Sequence, residues 1–231
     1  MSRESEFMLA SARRFFHPED PPPDISEINW RELMRLATAH AVTPILYRAF
    51  ESVPLSQHEA QRFRAAFEAN ARWNLALSGE LCKLADLLNE HKIAFVPLKG
   101  PVLSQQLYGD LSMRSSADLD WLVHPRDVLR VRDVLSTRGY RVGSPIHWPC
   151  DSACLRCREA EISLVDESGV FGIDLHWRIM PSYFASAFDC EEVWQSLAAT
   201  EFCGRTIPTL SPEHLLLLLC AHGAKHGFER L

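Results

Sequence analysis

Apolar residues in segment 57–91 recur at helical spacing. Four leucines lie at positions i, i+4, i+7 and i+11, which puts them on one face of a helix: Leu77, Leu81, Leu84 and Leu88. Residues 30–50 also read as helix, which Pro44 is expected to break, and a shorter helix precedes the Pro-rich loop at 17–24. Segment 1–91 is therefore predicted to be an N-terminal helical region.

From Ile93 onward, short apolar runs alternate with helical patterns. Strands are predicted at 93–98, 117–123, 140–142, 160–165 and 170–177, and helices at 101–108 and 125–138, the latter ending at Gly139. The last two strands are joined by Asp166-Glu167-Ser168-Gly169, a hairpin-type connection. Segment 92–180 is accordingly predicted to be a small mixed α/β core.

The remaining segment, 181–231, is expected to be mostly helix. Ser211 and Pro212 are typical of a helix start, as N-cap and first helical residue. The chain stops within this last helix, which suggests that the sequence is truncated. The fold class expected for the whole chain is α/β (α+β), a small mixed sheet flanked by N-terminal and C-terminal helical regions.

Charge and hydropathy narrow the possible functions. The chain has 24 basic and 30 acidic residues and a net charge of −6, which argues against a broad nucleic-acid-binding surface while leaving a local basic groove possible. Its longest purely apolar stretch, 215–221, is far shorter than the ~20 residues that span a bilayer. No signal peptide is apparent at the N-terminus, so a cytoplasmic location without membrane association is expected.

The candidate chemistry begins with Asp118 and Asp120, one residue apart in a predicted strand. Strand alternation puts both carboxylates on one face, about 7 Å apart along the chain. Two adjacent carboxylates repel each other unless a cation lies between them, and Mg²⁺ is the usual oxygen-bound cation. Asp174 supplies a third acid on a later strand, enough to hold two metals. The alternative is that the pair simply occupies exposed positions on an edge strand.

Several short motifs together resemble the polymerase-beta-like nucleotidyltransferase superfamily, most closely a bacterial group of uncharacterised nucleotidyltransferases with an LKG…R…DxDxLV pattern. The motifs are Leu98-Lys99-Gly100, Leu107-Tyr108-Gly109-Asp110, Arg114-Ser115-Ser116-Ala117, Asp118-Leu119-Asp120-Trp121-Leu122-Val123 and Gly139-Tyr140. The resemblance implies that Gly100 is the motif glycine, that Asp118 and Asp120 are the metal pair, and that Asp174 is the third acid.

By that resemblance the protein is an enzyme that moves a nucleoside monophosphate from an NTP to an unidentified acceptor hydroxyl, using Mg²⁺ or Mn²⁺. The nucleotide would be held by Lys99, Gly100, Arg114, Ser115 and Ser116. The sequence departs from the superfamily motif, which has Gly-Ser or Gly-Gly where this chain has Lys99-Gly100-Pro101. Lys99 adds a charge where the serine hydroxyl is lost, and Pro101 removes one backbone N–H from an anion-binding helix start.

Three histidines and a lysine are candidates for accessory roles. His222 and His226 lie at i and i+4 with Lys225 between them. The resembling group has a similar His-Gly-x-Lys-His helix, so Lys225 is a candidate phosphate ligand and His222 a possible lining residue, with a plain polar helix face as the alternative. His176 alternates with Asp174, so the two share a face of the sheet. It is expected to orient a metal-bound group, or else to hydrogen-bond within the sheet.

Cys150, Cys154 and Cys157 match the spacing that binds iron–sulfur clusters in radical-SAM enzymes, but no repeated βα units follow. A zinc site would require a fourth ligand, of which His147 is the nearest. We predict no cluster and interpret these cysteines as structural or incidental.

Two other functional classes are open at this point. One is a catalytically silent nucleotide-binding or regulatory module that keeps the fold, and the other is a toxin-type enzyme that nucleotidylates tRNA or protein.

Overall fold

A computed structural model describes residues 1–143, 160–179 and 190–225 of the chain. The helices are α1 (Arg3–Phe16), α2 (Trp30–Ala39), α3 (Thr43–Ala49), α4 (Gln57–Glu90), α5 (Gly100–Tyr108), α6 (Val128–Ser136), α7 (Cys190–Gln195) and α8 (Pro212–Lys225). The strands are β1 (Phe95–Pro97), β2 (Leu119–Val123), β3 (Arg141–Val142), β4 (Glu161–Val165), β5 (Gly172–His176), β6 (Ala198–Phe202) and β7 (Arg205–Thr209). Short 3₁₀ turns lie at Phe50–Ser52, Leu111–Met113 and Pro125–Asp127.

The central sheet has five strands in the order β1-β2-β5-β4-β3. Only the β2–β5 pair is parallel, and its other three pairs are antiparallel. The small mixed sheet predicted from the sequence is therefore confirmed. The predicted hairpin between β4 and β5 is also present, and the Asp166 carboxylate closes it by accepting hydrogen bonds from the backbone N–H groups of Val170 and Phe171 at 2.8 and 2.7 Å.

The three short N-terminal helices form their own hydrophobic cluster. Leu33, Ala37 and Leu46 are fully buried in it, and Phe63 of α4 closes one side. The predicted break at Pro44 occurs between α2 and α3, and Pro44 lies in the first turn of α3, where its missing N–H costs nothing.

The long helix α4 joins this cluster to the core under the sheet. Its 34 residues span about 51 Å at the usual rise per residue. All four leucines predicted to share a face are buried against the sheet: Leu77, Leu81, Leu84 and Leu88. The boundary proposed between regions 1–91 and 92–180 therefore follows directly after a helix that contributes side chains to the cores of both regions.

The two faces of the sheet are covered by different elements. On one face, Trp121, Ile173 and Leu175 pack with side chains of α4 and α6. On the other, Leu122 packs with Val193 of α7, Leu218 of α8 and neighbouring apolar residues.

The described part of segment 181–231, which was predicted to be mostly helix, contains the helices α7 and α8 and also a hairpin that the sequence analysis did not predict. Strands β6 and β7 pair antiparallel across Cys203-Gly204, whose φ angles of 50° and 74° suit a tight two-residue turn. Arg205 anchors the hairpin to α4 through Asp86, with N···O distances of 2.8 and 2.6 Å. The Ala-rich start of β6 and Pro208 within β7 weaken the strand pattern, so it reads as helix.

Helix α8 begins as predicted. The Ser211 hydroxyl accepts a hydrogen bond from the backbone N–H of His214 at 3.3 Å, the expected N-cap contact. Among the described residues, no helix is both long and apolar enough to cross a membrane.

Candidate active site

The parallel pair β2–β5 brings two of the predicted acids side by side. Asp120 is in register with Asp174, so both carboxylates project from the same face of neighbouring strands, which lie about 4.8 Å apart. Both residues are half-buried. The two acids are far apart in the sequence, and they become neighbours only because β2 and β5 pair in parallel.

Asp118 lies just before β2 rather than within it, since the strand begins at Leu119. Burial and the charges of Asp120 and Asp174 raise the pKa of Asp118 to about 6. Gly172 of β5 lies beside it, since a Cβ there would be in van der Waals contact with the Cβ of Asp118, at 3.5 Å. Asp118 is thus a close neighbour of the other two acids.

The third member of the tightest group is His176. Ligand atoms of Asp120, Asp174 and His176 all lie within 4.8 Å of one another, and Asp118 does not belong to this group. Nε2 of His176 lies 3.1 Å from Oδ1 of Asp120, and its Nδ1 lies 3.4 Å from Oε2 of Glu161. Two carboxylates and an imidazole at this separation fit the donors and spacing of a divalent metal site.

Lys99 lies against the acids instead of pointing away from them. Its Nζ is 3.3 Å from Oδ1 of Asp120. Strand β1 sets this position, because the N–H of Leu98 donates to the carbonyl of Asp120 at 2.9 Å immediately before the chain turns into α5. Burial raises the pKa of Asp120, but the hydrogen bond from His176 and the charge of Lys99 outweigh it and hold the pKa well below its usual range.

Gly100 forms the turn between Lys99 and α5. Its φ of 71° lies in the left-handed region that favours glycine, and a Cβ there would lie 3.7 Å from the carbonyl oxygen of Asp118. The predicted motif glycine therefore packs directly behind the segment that carries the acids. The N-terminus of α5, with Pro101 in its first turn, opens beside them.

The segment before β2 is fixed by side chains of α4. Asn74, which is fully buried, donates to the carbonyl of Arg114 at 2.6 Å. Trp73 donates to the carbonyl of Ser116 at 2.7 Å, and Asn70 donates to the carbonyl of Ser112 at 2.7 Å. The backbone leading to Asp118 is therefore held by hydrogen bonds from a rigid helix.

These contacts also position the residues predicted to meet the nucleotide. Arg114 is half-buried, and desolvation lowers its pKa although the charge of Asp120 opposes the shift. Among the described residues no carboxylate forms an ion pair with its guanidinium. Ser115 is exposed. The hydroxyl of Ser116 is buried and has no hydrogen-bond partner in the described part of the chain.

Helix α8 brings Lys225 to the edge of the site. Its Nζ lies 3.6 Å from Oε2 of Glu161, the carboxylate that also contacts His176. His222 lies three residues earlier on the same helix, half-buried and outside the metal-capable group of the described residues. His226 and the cysteine loop with Cys150, Cys154, Cys157 and His147 lie outside the described residues.

Sequence reasoning missed Glu161 and the polar residues of α4. The signal for Glu161 was its place in a strand whose apolar residues alternate, where Glu161 and Ser163 fall on the polar face opposite His176 and Asp174. No comparable signal marked Asn70 or Asn74, because their partners lie about forty residues away along the chain.

Comparison with known proteins places these features in a family. No curated protein matches the chain. Among solved structures, a lincosamide antibiotic adenylyltransferase with bound lincomycin is 20% identical, with a TM-score of 0.42 over 60% of this chain and 83% of that one. A "putative nucleotidyltransferase" from Thermotoga maritima is 17% identical, with a TM-score of 0.42 over 64% of this chain and 86% of that one.

The sequence model of one protein family, described as uncharacterised nucleotidyltransferase, matches residues 26–231, which is most of the chain. The match includes β2, β5 and the helix that carries Lys225. The protein belongs to this family of nucleotidyltransferase enzymes.

Proposed function

We propose that the protein transfers a nucleoside monophosphate from an NTP to an acceptor hydroxyl, releasing pyrophosphate, with a divalent metal bound by the acids of β2 and β5. The observation that carries the proposal is the register of Asp120 with Asp174, which sets two carboxylates and His176 around one space. Lys99 and Arg114 supply positive charge at the edge of that space.

The electrostatics of the acids support a cation at this site. The side chains of Asp120 and Lys99 are only 12% and 15% exposed, so their charges are poorly screened by water. The raised pKa of Asp118 reflects burial first, and then the negative charges of Asp120 and Asp174, which oppose its ionisation more than Lys99 favours it. A dication such as Mg²⁺ or Mn²⁺ would compensate these charges, and would accept phosphate oxygens as its remaining ligands.

The residues around the acids suit a triphosphate. Arg114 is half-buried, and its guanidinium has no carboxylate partner among the described residues. An anion bound there would compensate its charge. The helix start at Gly100 offers further donors to phosphate oxygens. The buried hydroxyl of Ser116, which has no partner among the described residues, would add one if its side chain turned toward the site. Ser115 is exposed on the same loop. Lys225 would reach a phosphate only by leaving Glu161.

Each residue has a distinct part in the proposed reaction. Asp120 and Asp174 would hold the metal, and Asp118 would be an added ligand for a second metal. Lys99 and Arg114 orient the triphosphate and neutralise the charge that develops on the departing pyrophosphate. The bound metal would polarise the reacting phosphate and bring the acceptor oxygen near it. The protein's contribution is thus mainly positioning and charge compensation.

A thermal-shift screen tests the proposal. The four NTPs are added singly with Mg²⁺ or Mn²⁺ to the wild-type chain and to the Asp118→Asn/Asp120→Asn double variant. A ligand at a hundredfold excess over its Kd stabilises a protein by ~2.7 kcal/mol, which raises the Tm by several degrees. We expect this rise for at least one NTP in the wild-type chain and in Asp133→Asn, a matched change of an exposed acid on α6. The double variant should show none, and an equal rise there would refute the proposal.

Product analysis separates the remaining functional classes. With the NTP from that screen carrying a labelled α-phosphate, transfer releases pyrophosphate and moves the label to the acceptor. A silent module would bind the NTP without releasing pyrophosphate with any acceptor supplied. A toxin-type enzyme would move the label into tRNA or protein.

A Lys99→Met variant examines the phosphate side of the site. Because Lys99 is assigned to the triphosphate, removing its charge should weaken NTP affinity roughly tenfold. Metal binding should be kept or improved, because Lys99 no longer competes with the metal for Asp120. Calorimetry with the metal alone and then with the metal–NTP complex distinguishes the two effects. Equal loss of both affinities would show that Lys99 serves to shape the acidic site itself.

A further inference from the structure

A continuous row of polar side chains runs from α8 to the acids. Lys225 contacts Glu161 at 3.6 Å, Glu161 contacts Nδ1 of His176 at 3.4 Å, and Nε2 of His176 contacts Asp120 at 3.1 Å. The imidazole therefore has one nitrogen facing a carboxylate at the back of the site and the other facing the acids.

The sheet fixes this row through its register. Glu161 pairs with His176 across the antiparallel strands β4 and β5. Asp174 lies two residues before His176 on β5, so both side chains project from the same face, and Asp174 pairs with Asp120 across the parallel strands. Three strands thus contribute one side chain each to a line through the imidazole, and its orientation is set by backbone pairing.

This arrangement is the one that metal-bound histidines adopt in proteins. A ligating histidine almost always has its other ring nitrogen held by a carboxylate or carbonyl, which fixes the tautomer and the ring orientation. Glu161 is such a carboxylate, and its contact with Lys225 compensates part of its charge. Nε2 is consequently the ring nitrogen that faces the space beside Asp120.

The distances agree with a shared metal ion. Adjacent ligands of an octahedral ion with bonds of 2.0–2.1 Å lie about 3.0 Å apart, and opposite ligands about 4.2 Å apart. Nε2 of His176 and Oδ1 of Asp120 are 3.1 Å apart. All three ligand atoms, including one from Asp174, lie within 4.8 Å of one another. An ion can therefore be accommodated with small side-chain movements.

We propose that His176 is a nitrogen ligand of the metal, positioned by Glu161, and that this ligand makes the site prefer a transition-metal dication such as Mn²⁺ over Mg²⁺. The proposal rests on the proposed function, because it refines the identity of the same metal centre. Mg²⁺ prefers an all-oxygen octahedron, whereas imidazole nitrogen suits the transition metals. In this account Asp118, outside the tight group, is a secondary ligand.

Electron spin echo spectroscopy of bound Mn²⁺ gives the direct readout. The full chain is loaded with Mn²⁺ alone, and modulation from a directly bound ¹⁴N nucleus is measured. We expect that modulation in the wild-type chain and its loss in His176→Gln. Competition between Mn²⁺ and Mg²⁺ should show the preference for Mn²⁺ falling at least tenfold in the same variant, since the change removes the nitrogen and leaves the oxygens.

Glu161→Gln tests the positioning role. Loss of a carboxylate behind a ligating histidine typically costs 10–100-fold in metal affinity, so Mn²⁺ affinity should fall by that factor while Mg²⁺ affinity changes less. Glu167→Gln is the matched control, because it makes the same change in an exposed residue of the β4–β5 loop. A merely structural role for Glu161 would shift the melting temperature and leave the ratio of Mn²⁺ to Mg²⁺ affinity unchanged.

The outcomes separate this inference from the function beneath it. If Mn²⁺ binds in an Asp120-dependent way but shows no nitrogen modulation, or if His176→Gln keeps the wild-type preference, His176 is not a ligand and the proposed function stands. If the wild-type chain binds neither ion, with or without NTP, both proposals fail together.

Discussion

Strands β2 and β5 have two faces with opposite properties. On the face toward α4 and α6, Trp121, Ile173 and Leu175 have no exposed surface. The residues that alternate with them face the other way, where Asp120 and Asp174 lie side by side next to a second apolar cluster. Each apolar residue is thus a direct chain neighbour of a charged one, and strand alternation alone separates packing from chemistry.

The difference shows how a fold can hold like charges close together. Clustering carboxylates is unfavourable without a cation, so another interaction must keep the strands in register. The apolar face supplies it, since burial of apolar surface contributes about 25 cal/mol per Å². The buried apolar residues and the acids should therefore respond in opposite ways to substitution: stability should depend on the apolar residues and ligand binding on the acids.

Trp121→Ala should have the largest effect on stability. Trp121 is fully buried and packs on Phe95 with ring centroids 4.8 Å apart. Truncating a buried tryptophan typically costs about 3–5 kcal/mol, which urea denaturation would measure. Below its melting temperature the variant should bind the metal–NTP complex nearly as well as the parent. A loss under about 1 kcal/mol would show that this face does not hold the sheet.

Asp174→Asn should have the reverse effect. It removes a charge from the acidic face while keeping side-chain size, so metal affinity should fall by roughly ten- to a hundredfold, about 1.4–2.8 kcal/mol. The free energy of unfolding without metal should stay the same or rise. Calorimetry with Mn²⁺ and urea denaturation give the two values, and a large loss of stability with unchanged affinity would assign Asp174 to the structure instead.

Asn74→Ala tests the hydrogen bonds from α4 that hold the loop before β2. Its amide holds the carbonyl of Arg114, so the substitution leaves a buried acceptor with one donor fewer and should cost about 1–3 kcal/mol. NTP affinity should also fall, because the carbonyl of Arg114 loses the shorter of its two hydrogen bonds from α4 and keeps only the one from Asn70. Asn89→Ala, at the exposed end of the same helix, is the control and should change neither value. An unaltered NTP affinity in Asn74→Ala would mean that Asn70 and Trp73 alone suffice.

Asp118→Asn should give the smallest effect, with a characteristic pH dependence. The pKa of Asp118 is about 6 in the folded chain, above its ordinary value of 3.8. The folded state therefore binds this proton more tightly than the unfolded state, a contribution that is complete below pH 4 and lost as the pH rises through 6.

In metal-free protein at pH 7, Asp118→Asn should therefore raise the free energy of unfolding, by roughly 1–2 kcal/mol after allowance for its partial exposure. Near pH 4 the gain should vanish, because Asp118 is then largely protonated in the parent. Denaturation curves at both pH values decide this. A gain that is equal at pH 4 and pH 7 would point to packing as its cause.

The sequence predicted those parts of the site that follow from local pattern. A short apolar run around Asp174 marked a second strand. Alternation within a strand predicted that Asp118 and Asp120 share a face, but only Asp120 lies in β2, and Asp118 precedes the strand and lies outside the tight group. The small mixed sheet was predicted from short apolar runs bounded by turns and the long helix α4 from its hydrophobic period, and the structure confirms both. The roles of the acids and of Lys99 remain proposals.

Features that depend on distant pairing could not be predicted in this way. Glu161 reaches His176 only because β4 and β5 pair in one particular register. The contacts of Asn70, Trp73 and Asn74 require a helix to lie along a loop that comes some forty residues later. The β6–β7 hairpin was missed because its turn, Cys203-Gly204, lacks the usual asparagine or aspartate.

Direct calorimetry of metal–NTP binding tests the central claim, that the acidic face of β2 and β5 is the nucleotide site. The NTP is titrated with its metal into the wild-type chain and into the Asp118→Asn/Asp120→Asn double variant, alongside melting curves for both. The account predicts binding to the parent, no measurable binding to the double variant, and a cooperative melting transition that shows the double variant to be folded. Parent-like binding by a folded double variant would contradict it.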